Sequence, residues 1–118
     1  MRTINMRYSM TKLVITTALL IGSGPVLAQD GAAARYGTVG GTHTGNALAC
    51  GATAEQAATL RARHKVQVKT IFGTEADFDQ AYDAAEARER EKITTAWKKG
   101  QYKPTSDVCN EMMRQVRS

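Results

Sequence analysis

The chain has 118 residues, a formal net charge of +5 at pH 7 and 42% apolar residues, which fits a single small domain. Three of its 16 basic residues, Arg2, Arg7 and Lys12, lie at the N-terminus; without them 13 Lys and Arg face 11 Asp and Glu, a net charge of +2. Basicity alone therefore gives no argument for binding to nucleic acid or acidic lipid.

Residues 1–28 have the three parts of a secretory signal peptide. A basic start is followed by a mostly apolar run at 13–21, by the helix breakers of 22–25, and by a small residue, Ala28, at a cleavage position. The apolar run is too short for a membrane span, which needs about 20 residues. We therefore predict cleavage near Ala28, a mature chain that begins at Gln29, and no stable insertion in a membrane after cleavage.

This signal predicts a periplasmic or secreted location. The start codon stays open between Met1, Met6 and Met10, because Met10 followed by Lys12 and the apolar run already forms a complete signal.

Residues 29–45 follow as a glycine-rich stretch, QDGAAARYGTVGGTHTG, with almost no large apolar side chains. Such a segment cannot bury enough apolar surface to offset the entropy that ordering it would cost. We predict a flexible N-terminal arm before a helical domain at 46–118.

Three helices are predicted in that domain. The first runs from Asn46 or Thr53 to Phe72, with a Thr53–Gln56 capping box. Its buried stripe recurs at helical spacing and contains Cys50, Ala57, Leu60, His64, Val68 and Ile71.

The second helix is predicted to begin at Thr74 and to stop before Gly100, and Glu86 and Arg90 can pair on its solvated flank. The third is predicted from about Ser106 to Val116, with Ser106 or Asp107 as its cap. The fold class is thus all-α, a small three-helix up-down-up bundle with short links.

Cys50 and Cys109 are the two cysteines of the chain. An even count in an oxidising compartment predicts a disulfide between them, since a reactive pair usually has close spacing. In the up-down-up arrangement both cysteines lie at the same end of the bundle, so the crosslink closes without threading. A loop of this length stabilises the fold by about 4 kcal/mol.

His64 and Glu89 are the candidate residues for partner binding or pH sensing. His64 lies within an apolar stripe, where a hydrogen-bonded structural histidine is the competing interpretation. Glu89 falls on the apolar face of the second helix, where it either pairs with a basic residue of a neighbouring helix or marks a binding surface.

No catalytic set, metal site or cofactor site is predicted. Two histidines without a ligand-type spacing give no metal or haem signal. Ser106 and Ser118, the serines after the signal, are a helix cap and the last residue, so no serine nucleophile is indicated. The chain is predicted not to be an enzyme.

The leading hypothesis is a small exported, non-enzymatic protein that binds a protein partner, of the accessory, inhibitor or immunity type. In length, compartment and single disulfide the chain also loosely resembles the small periplasmic acid-stress chaperones, which implies acid-induced opening as an alternative function. A metal-binding protein is a further alternative. The sequence predicts no nucleic-acid partner and leaves the oligomeric state open.

Overall fold

A computed structural model describes residues 31–118, and in this part of the chain all the regular structure is α-helical. The helices are α1 (Ala32–Ala49), α2 (Ala54–Phe72), α3 (Phe78–Lys98) and α4 (Ser106–Arg117). The predicted all-α class is confirmed. The predicted signal peptide and start of the arm lie outside the described residues. Within 31–118, none of the helices combines the length and apolarity needed to cross a bilayer.

The predicted flexible arm is wrong, and so is the predicted count of three helices, because most of the glycine-rich segment forms α1. Ala33, Gly37, Gly41 and Gly45 recur every fourth residue and form one stripe along this helix. The stripe packs on α3, and the glycines are buried. The entropy argument failed because α1 buries backbone and small residues rather than large side chains.

Close approach of the two backbones explains why glycine occupies this stripe. A β-carbon added at Gly37 would lie 2.5 Å from the carbonyl oxygen of Tyr82. One added at Gly41 would collide with the carbonyl oxygen of Glu86. Both obstacles are backbone atoms of α3, which cannot rotate away. The α1–α3 interface therefore exists only because these side chains are absent.

Inter-helix contacts give the direction of each helix. Helices α2 and α3 are antiparallel. Lys65 pairs with Asp83, and Lys69, one turn later in α2, pairs with Asp79, one turn earlier in α3.

Helices α2 and α4 are parallel. Leu60 packs in one apolar cluster with Met112, and the later residue Arg63 binds the backbone of the later residue Gln115. These three helices therefore alternate in direction as predicted, and α1 is the additional helix, running parallel to α3.

The ends of the helices follow local capping chemistry with two departures from the sequence analysis. The Thr53–Gln56 capping box is confirmed at the start of α2. Helix α3 begins only at Phe78, because Asp77 adopts a left-handed conformation with φ of 57° and makes no side-chain cap. Helix α4 is capped by Thr105, whose hydroxyl accepts a hydrogen bond from the Val108 amide.

The first turn of α1 is held by a residue from another part of the chain. The Ala32 amide donates to the Glu75 carboxylate at 2.9 Å, and the Ala33 amide lies 3.4 Å from both oxygens. A carboxylate at a helix N-terminus satisfies free amides and complements the helix dipole. Glu75 thereby ties α1 to the link between α2 and α3.

The core has two apolar clusters. One contains Ala33, Val68, Phe78 and Tyr82, and the other contains Ala47, Ala52, Leu60 and Met112. The predicted Cys50–Cys109 disulfide is confirmed, with an S–S distance of 2.08 Å, and it joins the C-terminal end of α1 to the first turn of α4 beside the second cluster.

Candidate binding site

A polar cleft of about 370 Å³ lies between α1 and α2, at the point where α4 ends. Its lining comes from these three helices: His43, Leu60, Arg63, His64, Gln67, Arg114, Gln115 and Ser118. Helix α4 has 12 residues, whereas α1 has 18 and α2 has 19. Because α4 is shorter, it covers only part of the groove between its neighbours.

Two histidines from different helices meet in this cleft. The rings of His43 and His64 pack edge to face, with their centroids 5.7 Å apart. His64 is half-buried, and its Nδ1 lies 2.5 Å from the Tyr82 hydroxyl oxygen. His64 thus has the hydrogen bond expected of a structural histidine, and it also lines the cleft.

Burial keeps both histidines neutral near pH 7. It lowers the pKa of His43, an effect that the nearby Glu111 carboxylate partly offsets. Burial, and then the proximity of His43, lower the pKa of His64. Burial and the neighbouring carboxylate of Glu86 raise the pKa of Tyr82, so its hydroxyl keeps its proton, and the direction of its hydrogen bond with Nδ1 follows the tautomer of His64.

Two arginines border the histidine pair. The Arg63 guanidinium donates to the Gln115 carbonyl oxygen at 2.5 Å, which satisfies an acceptor in the last turn of α4. Arg114 forms an ion pair with Glu111 one turn earlier, and this pairing lowers the pKa of Glu111 to about 2. Arg63 therefore brings to the end of α4 a positive charge that no acid among residues 31–118 neutralises.

Beyond the last turn of α4, the two long helices expose apolar side chains. Tyr36 and Val39 on α1 are 40% and 43% exposed, and Ile71 on α2 is 73% exposed. Tyr36 also stacks on Phe72, with the ring centroids 5.3 Å apart. Ile71 was predicted to lie in the buried stripe, and that prediction is wrong because α4 does not extend far enough to cover it.

Glu89 lies on the face of α3 that packs against α1, but its ion pair differs from the predicted one. Its side chain is 20% exposed and forms its ion pair, at 3.5 Å, with Lys92 of the same helix rather than with a neighbouring helix. Its β-carbon lies against Gly41, whereas His64 lies against Gly40. The two predicted site residues therefore meet α1 from different helices, and only His64 lines the cleft.

Among residues 31–118 the buried acid is Glu86, with 1% exposure. Its predicted pairing with Arg90 is confirmed, with Nε 3.0 Å from Oε2, but the solvated setting predicted for it is wrong. Thr44 donates to the same carboxylate at 2.6 Å, and Arg61 lies 4.0 Å away. Glu86 is covered because the glycine stripe brings α1 directly over this part of α3.

The cleft was not predicted from the sequence, because His43 fell in the predicted arm. A usable signal was present, since glycines at 37, 41 and 45 have the spacing of a close helix contact. Among residues 31–118, no group of three or more His, Cys, Asp and Glu side chains is arranged to hold a metal ion.

Comparison with protein-family models gives no match, and searches of curated proteins and of solved structures give no significant match either. The functional argument for this chain therefore depends on its own geometry.

Proposed function

We propose that this protein is a small, exported, non-enzymatic binding protein that holds a partner protein in the groove between α1 and α2. The observation that carries the proposal is the uncovered part of that groove, defined by Tyr36, Val39 and Ile71 and called here the open groove. The disulfide is compatible with export, since such bonds persist in oxidising compartments.

The open groove has the composition of a protein interface. Large apolar side chains remain exposed in a chain that has few of them, although burying each one would stabilise the fold by about 1.5–3 kcal/mol. The polar cleft adjoins the open groove, with Arg63 and the two histidines at its edge. An apolar centre with a polar rim is typical of sites that bind another protein. An accessory, inhibitor or immunity role would each use such a surface.

Charge substitution in the groove tests this function. Val39→Glu with Ile71→Glu places two carboxylates on the open groove, and Ala84→Glu adds one at an exposed position of α3. Tagged forms of the three proteins would be purified from cells under native conditions, and the bound proteins identified by mass spectrometry. We expect one stoichiometric partner with the wild type and Ala84→Glu, and none with the double variant. Equal capture by all three would contradict the proposal.

A second candidate function, an acid-responsive chaperone, is favoured by the His43–His64 pair. Below the pKa of these rings, two positive charges 5.7 Å apart would stand between Arg63 and Arg114, with Glu111 as the nearby acid. Their repulsion would loosen α4 from α1 and α2 and expose the cluster around Met112. Suppression of client aggregation near pH 2–3, roughly where carboxylates are protonated, would support this function. A protein that leaves aggregation unchanged at that pH would exclude it.

A further inference from the structure

Three exposed lysines lie close together in sequence at one end of the bundle. Six of the 13 Lys and Arg side chains in residues 31–118 form a salt bridge with an acid: Arg61, Lys65, Lys69, Arg90, Lys92 and Arg114. Lys98, Lys99 and Lys103, in contrast, are exposed and form no ion pair or hydrogen bond with any described residue. These three lysines lie within six residues, around the link between α3 and α4.

Two aromatic side chains accompany these lysines. Trp97 is 37% exposed and Tyr102 is 38% exposed, and both line one hollow together with Lys103. The same hollow, of about 270 Å³, is bordered by Ala49 and Cys109 at the disulfide. We call the set Trp97, Lys98, Lys99, Tyr102 and Lys103 the lysine–aromatic end.

The lysine–aromatic end is held in place by its surroundings. The Tyr102 hydroxyl donates to Asn46 at 2.7 Å, and Pro104 is buried. Gly100 takes a left-handed conformation, and the Gln101 amide returns to the Ala96 carbonyl, which closes the end of α3. The position of the Tyr102 ring is therefore set by the fold.

Acidic residues are few in this region. Glu91 borders a neighbouring hollow with Lys98, and Asp107 lies in the first turn of α4. Three lysines therefore outnumber two acids, although the overall charge of the chain gave no argument for an anionic ligand. The reason to expect an anionic ligand is the local excess of lysines at this end, not the net charge of the chain.

We propose that the lysine–aromatic end binds peripherally to the headgroups of anionic phospholipids at a membrane surface. Tryptophan and tyrosine favour the headgroup level of a bilayer, because each has an apolar ring and a polar group. Lysines next to them pair with lipid phosphates. A single-stranded nucleic acid is the competing polyanion, but it requires an elongated basic groove with successive stacking rings. The lysine–aromatic end instead offers one compact hollow at the end of a bundle.

This binding is independent of the open groove, which lies beyond the other end of α4. Each lysine near an anionic surface should raise the partition coefficient about fivefold, so three should give roughly a hundredfold preference for anionic over neutral vesicles. Salt should weaken the binding, because it screens exposed charges.

Vesicle binding with tryptophan emission tests the proposal, since the chain has one tryptophan and it lies in the lysine–aromatic end. The exported protein would be titrated with phosphatidylcholine vesicles that contain none, or about one third, phosphatidylglycerol. Mass spectrometry would establish whether residues 1–28 are present. We expect cosedimentation and a blue shift of the Trp97 emission with the anionic vesicles, both reversed at high salt.

Matched variants separate this site from general electrostatic attraction. Lys98→Gln with Lys103→Gln removes two charges from the site, and Arg88→Gln with Arg117→Gln removes two exposed charges elsewhere. We expect the lysine variant to bind about 25-fold more weakly and the arginine variant to bind within about twofold of the wild type.

Three outcomes would overturn the proposal: no binding at low salt, equal weakening in the two variants, or tighter binding to a single-stranded oligothymidine than to anionic vesicles. Because the groove variants Val39→Glu and Ile71→Glu leave this end unchanged, they should bind vesicles like the wild type. Loss of partner capture and loss of lipid binding are therefore distinguishable.

Discussion

Helices α3 and α4 are attached to α1 in opposite ways. Helix α3 packs against a glycine stripe, so that backbone meets backbone, and a buried carboxylate, Glu86, forms ion pairs beneath that contact. Helix α4 meets the bundle through large apolar side chains around Met112 and through the Cys50–Cys109 bond.

This difference shows two sources of stability in one small domain. The α1–α3 interface depends on the absence of side chains along the glycine stripe, so a side chain added there must push the two helix backbones apart. Helix α4 is attached through large apolar side chains, and these can be exchanged for others of similar volume at a modest cost in stability. The two interfaces should therefore respond differently to substitution, reduction and pH.

The largest effect is expected at Gly41. Gly41→Leu would place a branched side chain against the backbone of Glu86, and no rotamer avoids that contact. We expect a loss of more than about 4 kcal/mol and no cooperative transition in thermal melts followed by circular dichroism. Val39→Leu, on the exposed side of the same helix, should change stability by less than about 0.5 kcal/mol. A cooperative melt of Gly41→Leu near the wild-type temperature would show that the helices do not approach this closely.

Removal of the crosslink should come next. Cys50→Ser with Cys109→Ser frees a loop with a sequence separation of 59 residues, which should cost about 4 kcal/mol of unfolding free energy. Urea titration measures this loss, and reduced wild-type protein is the control that should match the variant. If the variant and the oxidised wild type unfold at the same urea concentration, the prediction is wrong, and the apolar contacts of α4 keep this helix in place without the disulfide.

The buried acid should give an intermediate effect. Glu86→Gln keeps the volume of the side chain but removes the charge that faces Arg90 and Arg61. Because Arg90 is one third exposed, water partly replaces its lost partner, and we expect a loss of about 2 kcal/mol in urea titration. Glu89→Gln, at a half-buried acid three residues later, should cost less than about 0.5 kcal/mol. Equal losses in the two variants would refute a special role for Glu86.

The smallest effect is a change of stability with pH at the α4 attachment. The folded-state pKa of His43 and of His64 is lower than the ordinary value of 6.5, so folding favours the neutral rings. Their contribution to stability is present above pH 6.5 and is lost as the pH falls through the lower folded values.

Urea titrations across this pH range check the histidine contribution. The double variant His43→Gln with His64→Gln should flatten the fall of stability that begins below pH 6.5. Glu111 titrates in a separate window, because its pKa is lowered from 4.5 to about 2. Its stabilising charge should therefore be lost only below pH 4.5. If the histidine variant loses stability below pH 6.5 as steeply as the wild type, the pH dependence has another origin.

The sequence predicted the parts of the fold that follow common local rules. The capping box at Thr53, the alternating directions of α2, α3 and α4, and the Cys50–Cys109 bond are all confirmed. Each depends on residues that act near their own position or on a cysteine pair with no competing partner. The chemistry of these residues can be recognised from the sequence without knowledge of the tertiary structure.

Helix α1 could not be predicted by the same rules. Its glycines carry a penalty in any isolated helix, and the packing that offsets this penalty involves α3, more than 40 residues away in sequence. The cleft then stayed hidden, because His43 belongs to α1. The exposure of Ile71 was also missed, since the short reach of α4 is a property of the assembled bundle.

The glycine stripe also has a consequence for the order in which the fold forms. Four buried glycines in α1 cost about 4 kcal/mol relative to alanine, so the segment is a poor helix by itself. It leaves the ribosome before α3, yet its cap, Glu75, and its packing surface at Tyr82 and Glu86 come later in the chain. We expect α1, the first of the described helices to be synthesised, to become helical only once most of the chain is available.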